Sequence, residues 1–176
     1  LKLIPFLVKL FNSLFDNHYF PKIWAKSVIV PVHKKDDYHN PDNYRGISLL
    51  CATCKLFTSV LAERFGNWME REDKLCPEQA GFRAGHSTVD HIFTLKAMVL
   101  KHVYGEGRGK FYVCFVDYRK AFDSVNHTQL WRVLSNSGLS SKFLSMLKAI
   151  YADVQSCVRW QCALSDFFPC TVGVKQ

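Results

Sequence analysis

Two aspartates six residues apart, Asp117 and Asp123, lie in the stretch FVDYRKAFDSV at residues 115–125. The approach to the first is Phe, Tyr, Val, Cys, Phe and Val at 111–116, a run without polar alternation that reads as a buried strand. Asp117 would stand at its end. A carboxylate held there, with a turn and a helix behind it, is how many phosphoryl-transfer enzymes bind Mg2+, because a hard cation takes oxygen ligands from a rigid element. A solvated strand-end aspartate has the same signature, and Asp117 by itself leaves both readings open. For Asp123 the preferred reading is helix capping: Asp123 and Ser124 are start signals for a helix over VNHTQLWRVLSNSG that ends at Gly138.

The remaining elements set the frame for that unit. Apolar residues at 3, 4, 6, 7, 10, 11, 14 and 15 predict a helix over 3–19 that stops near Phe20 and Pro21. WAKSVIVPV at 24–32 predicts a strand, with Pro31 marking an edge or an end. Residues 33–46 form a polar loop rich in turn formers, and Leu56, Phe57, Val60, Leu61, Phe65, Trp68 and Met69 predict a helix from about Thr53 to Arg71. Charge, Pro77, Gly81 and Gly85 break that helix. Ser87 with Asp90 forms a capping box ahead of another helix, and GEGRGK at 105–110 reads as a flexible turn. Ser140 or Ser141 caps a helix to about Tyr151, and 154–162 with 167–174 reads as a hairpin.

The chain has 176 residues, 48% of them hydrophobic, enough for a real core in one domain or one and a part. Its net charge of +8 points to a polyanionic partner such as nucleic acid, although the excess is spread along the chain without a polybasic tail. Seven irregularly spaced cysteines suit a reduced intracellular compartment. Cys51 and Cys54 form a CxxC without a second CxxC or HxxxH, inside the apolar run ISLLCATCKLF, so packing is expected there over a metal or redox role. LKLIPFLVKLFNSLF at 1–15 is too short and too interrupted to span a membrane. A first residue other than Met, and Gln176 in what reads as a loop, suggest part of a longer chain.

Four stretches in order carry a stronger signal: WAKSVIVPVHKKDDYHNPDNYRGISLL, PEQAGFRAGHSTVDHI, FVDYRKAFDSVNH and VGVKQ. Together they resemble successive motifs of the reverse transcriptases of LINE-type, non-LTR retrotransposons. The resemblance covers nearly the whole chain. It implies an α+β fold, the fingers and part of the palm of a right-hand polymerase, helix-rich with an antiparallel palm sheet. Residues 1–109 would be fingers-like. Residues 110–176 would be a partial palm with Asp117 at the end of a central strand.

The resemblance also implies roles. Asp117 would be the catalytic aspartate and a ligand of two Mg2+ ions, with Mn2+ as the alternative, and the Tyr118 carbonyl a further ligand. Arg45 would grip the triphosphate, with Lys34 or Lys35 in a similar task, since a guanidinium bonds phosphate bidentately. Phe122 would lie beneath the incoming sugar and exclude a ribose 2′-OH. Gln79, Gly81, Phe82 and Arg83 match a QxGFR motif near template and nucleotide, and Gln176 would also lie near the nucleotide. The implied partners are an RNA template, a DNA primer and deoxynucleoside triphosphates, in a nuclear or cytoplasmic ribonucleoprotein.

Departures from the pattern limit what the chain should do alone. The acidic [FY]xDD hairpin of the family is absent; Tyr151-Ala152-Asp153-Val154 reads as a helix terminus and receives no metal. Gly46 stands where the family often has Pro, and GEGRGK neither follows a strand nor opens a helix, so it is no P-loop. The expectation is a polymerase segment that is inactive by itself. The alternatives are a remnant that binds RNA or RNA–DNA hybrid without chemistry, or the frame of a decayed element.

Overall fold

The computed structural model describes residues 2–105 and 109–175. It falls into two compact units, one of Leu1–Glu63 with Lys120–Gln176 and one of Arg64–Arg119.

In the first unit, helix α1 (Ile4–Asp16) and the short α2 (Lys22–Ala25) lead into strand β1 (Lys26–His33). A 3-10 turn at Pro41–Asn43 returns the chain as β2 (Tyr44–Leu49), before α3 (Ala52–Arg71) begins. After Lys120 come α5 (His127–Asn136), α6 (Ser141–Ala152), β3 (Gln155–Trp160), β4 (Ala163–Leu164) and β5 (Phe168–Pro169), with α4 (Thr88–Val99) in the other unit. The sheet runs β2-β1-β3-β4, with β5 also on β3.

The sheet is mixed, and within residues 110–176 β3 pairs antiparallel with both β4 and β5. β1 is antiparallel to β2, but Lys26–Ile29 run parallel to Gln155–Val158. The two strands are joined by a crossover of more than a hundred residues, ample for a parallel pair. Beyond Ile29, among the described residues, only β2 flanks β1, so Pro31, opposite Gly46, lies where a missing N–H costs no second ladder. Strand β2, which the sequence reads as loop and helix lead-in, exists because Val28–His33 offer it a ladder.

The core lies where α1, α2, α3 and α6 supply aromatics. Trp24 meets Phe11 edge-on at 6.4 Å and Phe57 at 5.9 Å, and Phe15 meets Phe143 at 5.8 Å. Leu14, Phe57, Leu61, Leu144, Met146 and Cys157 are buried around them. The two buried polar side chains in this core, Ser27 and Ser156, face one another in the parallel register and share a hydrogen bond of 2.8 Å, satisfying each other away from water.

The second unit holds the end of α3, a loop over 72–87, and α4 (Thr88–Val99), continued by a π-helical turn at Leu100–Tyr104. The capping box forms as expected: the Ser87 hydroxyl accepts the Val89 N–H at 3.2 Å and Asp90 accepts the Ser87 N–H at 2.6 Å. Its core is slight. Among the described residues of this unit only Ala80 is buried. Part of GEGRGK lies outside the described residues.

Candidate functional site

The run Phe111–Val116 forms no strand, so Asp117 does not sit at a strand end. β character alone cannot make a strand; its N–H and C=O groups need a neighbour's, and none of the described strands pairs with 110–117. Phe111 stacks on His102 at 5.7 Å, but Tyr112 and Phe115 are 84% and 82% exposed. Asp117 and Tyr118 are exposed at the end of this segment. Among the described residues, no group of three or more His, Cys, Asp or Glu side chains could hold a metal ion.

The turn that follows belongs to the first unit and is tightly held. The Ser124 N–H bonds the Lys120 carbonyl at 3.1 Å, and Lys120 pairs with Asp42 at 2.7 Å. The carbonyls of Phe122 and Val125 accept the N–H groups of Val174 and Gly173 at 2.8 and 2.9 Å. His127 Nε2 donates to the Gly173 carbonyl at 2.7 Å. Gly173 has φ +84°, and a Cβ there would lie 2.8 Å from the Asp123 carbonyl oxygen, so only glycine fits. The sequence signal for this role was a glycine flanked by two valines in VGVKQ, which sequence reading did not use. Phe122 is thus half-buried and fixed beside the last described residues. Gln176 lies outside the described residues.

Asp123 does not cap the helix. The Asn126 side chain does, accepting the Gln129 N–H at 3.0 Å, while Asp123 lies in the turn ahead of it. Gly138, at φ +85°, ends α5 through a left-handed residue, as expected.

Arg45 and the two lysines share the end of the β1–β2 hairpin. Arg45 lies opposite Val32, and the Lys34 N–H bonds the Asn43 carbonyl at 2.8 Å, continuing the ladder one step past His33. Facing residues of an antiparallel pair project to one side, and so do residues two apart. Continued to Lys34, the pattern puts Lys34 and Arg45 on one face and Lys35 on the other. All three are exposed. On the opposite face of the hairpin His33 stacks on Tyr38 at 3.9 Å, and Tyr44 meets Trp160 edge-on at 5.6 Å.

In the second unit Gln79, Gly81, Phe82 and Arg83 form one self-organised loop. Arg83 grips Glu70 with two hydrogen bonds, Nε to Oε1 at 2.8 Å and Nη2 to Oε2 at 2.9 Å, and Nη1 reaches the Cys76 carbonyl at 3.3 Å. The Arg83–Glu70 hydrogen bonds and the guanidinium charge hold the Glu70 carboxyl below the usual carboxylate range. Gln79 Nε2 donates to the Gly81 carbonyl at 3.2 Å. The loop turns at Phe82, with φ +60°, whose ring is almost wholly exposed. Sequence reading missed Glu70, placing it only in the charge that breaks the helix.

A cavity of about 660 Å3 in the first unit is lined by Lys22, Lys26, His127, Tyr151, Asp153 and Gln155 among others, and by none of the candidate site residues. No helix among the described residues is long and apolar enough to cross a membrane.

Residues 32–176 match the family model described as reverse transcriptase (RNA-dependent DNA polymerase), a span that includes every candidate site residue. The chain is 33% identical over 154 residues, 86% of its length, to the probable RNA-directed DNA polymerase from transposon BS of Drosophila melanogaster. It is 30% identical over 174 residues, 98% of its length, to the probable RNA-directed DNA polymerase from transposon X-element of the same organism. A third relative, the RNA-directed DNA polymerase from mobile element jockey of D. melanogaster, is 32% identical over 72% of the chain. These alignments cover 16%, 19% and 14% of the relatives' own lengths, so the chain spans less than a fifth of the proteins it matches. With a family match over most of its length, and relatives from non-LTR elements, the chain belongs to the reverse transcriptase family of non-LTR retrotransposons.

Proposed function

We propose that this chain is a segment of an RNA-directed DNA polymerase, comprising fingers-like residues 1–109 and a partial palm from 110, working on an RNA template, a DNA primer and deoxynucleoside triphosphates. The observation that carries the reading is the family match over 32–176, which takes in Lys34, Arg45, Arg83, Asp117 and Phe122 in motif order. Arg45 and Lys34, on one hairpin face, grip the triphosphate, and this favours Lys34 over Lys35 as the second cation. Phe122 faces the sugar from a turn whose backbone is pinned by Gly173 and Val174, so its ring cannot retreat from a 2′-OH. Gln79, Gly81, Phe82 and the Arg83–Glu70 grip shape the surface toward the template strand. Gln176 joins the nucleotide side.

Asp117 and the Tyr118 carbonyl offer oxygen donors to Mg2+ or Mn2+, which suits hard cations, but one carboxylate is only part of a two-ion set. When bound, such ions activate the primer 3′-hydroxyl and neutralise the departing pyrophosphate. In this chain Asp117 is exposed to solvent. The chain alone is therefore expected to bind nucleic acid without extending it, through a surface of net charge +8 whose affinity falls as salt rises. The setting implied is an intracellular ribonucleoprotein, nuclear or cytoplasmic.

The test is primer extension on a primed RNA template by the full-length element polymerase carrying this segment. Asp117→Asn is expected to reduce the rate by about a thousandfold or more, with primer-template affinity kept. Activity within a few-fold of wild type would remove Asp117 from the metal set. Extension by the 176-residue chain itself would overturn its expected inactivity.

A further inference from the structure

Cys51 and Cys54, for which the sequence suggests only core packing, are placed very differently from one another. Cys51 is the N-cap of α3: its carbonyl accepts the Lys55 N–H at 3.0 Å, and its Sγ accepts the Cys54 N–H at 3.3 Å. A thiol thus does what a Ser, Thr, Asp or Asn oxygen usually does at that position. Cys51 is exposed, whereas Cys54 is 2% exposed beside Trp24, its Sγ 3.8 Å from the Trp24 carbonyl. The sulfurs are neighbours: burial first, then charge and hydrogen bonding from Cys51, push the Cys54 thiol up. The half-buried Lys175 ammonium, bonded to the Ala25 carbonyl at 3.1 Å, opposes that shift.

We propose that Cys51 and Cys54 form a redox-active dithiol, in which the exposed Cys51 sulfur meets the oxidant and the buried Cys54 sulfur closes an intramolecular disulfide. Residues three apart at a helix start have Cα atoms about 5–6 Å apart, inside the roughly 4.4–6.8 Å that a disulfide spans. With a glutathione disulfide as oxidant, the Cys51 thiolate attacks one of its sulfurs and releases glutathione thiolate. Cys54 then loses its proton and attacks Cys51 Sγ, forming the Cys51–Cys54 bond and releasing the second glutathione. Two protein thiols are oxidised and one glutathione disulfide is reduced to two glutathione thiols, which take up the two protons the cysteines lose. No other two cysteines of the chain are separated by only two residues, so Cys76, Cys114 and Cys162, all exposed, have no such nearby resolving sulfur in sequence.

The experiment treats the purified chain with glutathione disulfide, traps remaining thiols with iodoacetamide and reads each cysteine by peptide mass. The expected result is a peptide carrying Cys51 and Cys54 that has lost two hydrogens, takes no label, and regains both thiols with dithiothreitol. In Cys54→Ser, Cys51 should stop as a glutathione adduct. In Cys51→Ser, whose serine keeps a helix cap, Cys54 should be modified at least about tenfold more slowly than Cys51 in wild type, because it is buried. A wild-type chain whose Cys51 ends as a glutathione adduct, or keeps its thiol while Cys76 is modified, overturns the proposal. So does a disulfide from Cys51 or Cys54 to any other cysteine.

Discussion

Residues 120–125 are fixed by Gly173 and Val174, which bond the carbonyls of Val125 and Phe122 at 2.9 and 2.8 Å, whereas residues 111–118, directly before them, form no ladder among the described residues. The second stretch is the more strand-like in sequence, yet it is the exposed one. Apolar β-prone residues supply a surface for pairing, and a strand follows only when a partner's N–H and C=O groups are within reach. The turn is held because Gly173 can adopt φ +84° and come within contact of the Asp123 backbone. The same contrast separates the two units: one encloses Trp24, Phe57, Leu144 and Met146, and the other buries Ala80 alone among its described residues.

The largest effect should come from the core of the first unit. Phe57→Ala opens a cavity beside Phe11 and Trp24, which lie 5.2 and 5.9 Å from its ring, and should cost about 3–5 kcal/mol in urea unfolding. Gly173→Ala forces a left-handed φ on a side chain whose Cβ would meet the Asp123 carbonyl, and should cost about 2–3 kcal/mol. In the full-length enzyme it should also loosen the Phe122 turn and weaken discrimination against ribonucleotides, read as the ratio of incorporation rates.

Arg83→Gln should act only on the second unit, raising protease cleavage within 72–86 while the urea midpoint of the first unit stays put. Glu70 is held below its ordinary value by Arg83, so the stabilising contribution is complete above about pH 4.3 and disappears as pH falls through the lower folded value. An NMR titration of the Glu70 carboxyl should give a lower midpoint in wild type than in Arg83→Gln. The smallest effect belongs to the unpaired segment: Tyr112→Ser with Phe115→Ser should change stability by less than about 0.5 kcal/mol and raise solubility.

Helices were legible because their signals are local. The apolar spacing of α3, the Ser87–Asp90 box and the Ser140 cap, which accepts the Phe143 N–H at 3.3 Å, all act within a turn or two of chain. What was not legible depends on residues far away in sequence. β2 was hidden by Arg45 and Gly46 and becomes a strand only opposite β1, and the parallel β1–β3 pair joins residues more than a hundred apart. The site divides in the same way. The identities of Asp117, Arg45, Phe122 and the QxGFR loop came from motif resemblance, while the grip of Glu70 on Arg83 and the part played by Gly173 needed coordinates. Asp123 shows how a local rule loses: it carries a capping signal, but the carbonyls of Phe122 and Val125 on either side are bonded by Val174 and Gly173, and Asn126 takes the cap.

Hydrogen exchange of the 176-residue chain, read by mass spectrometry across 111–125 and 172–175, tests the contrast most directly. Amides of 111–118 should exchange at the rate of an unstructured peptide, while those of Gly173, Val174 and Ser124 are protected by at least about a hundredfold, as amides in stable hydrogen bonds are. Protection of 111–118 equal to that of Gly173 and Val174 would contradict the account, because Asp117 would then stand at the end of a paired strand after all.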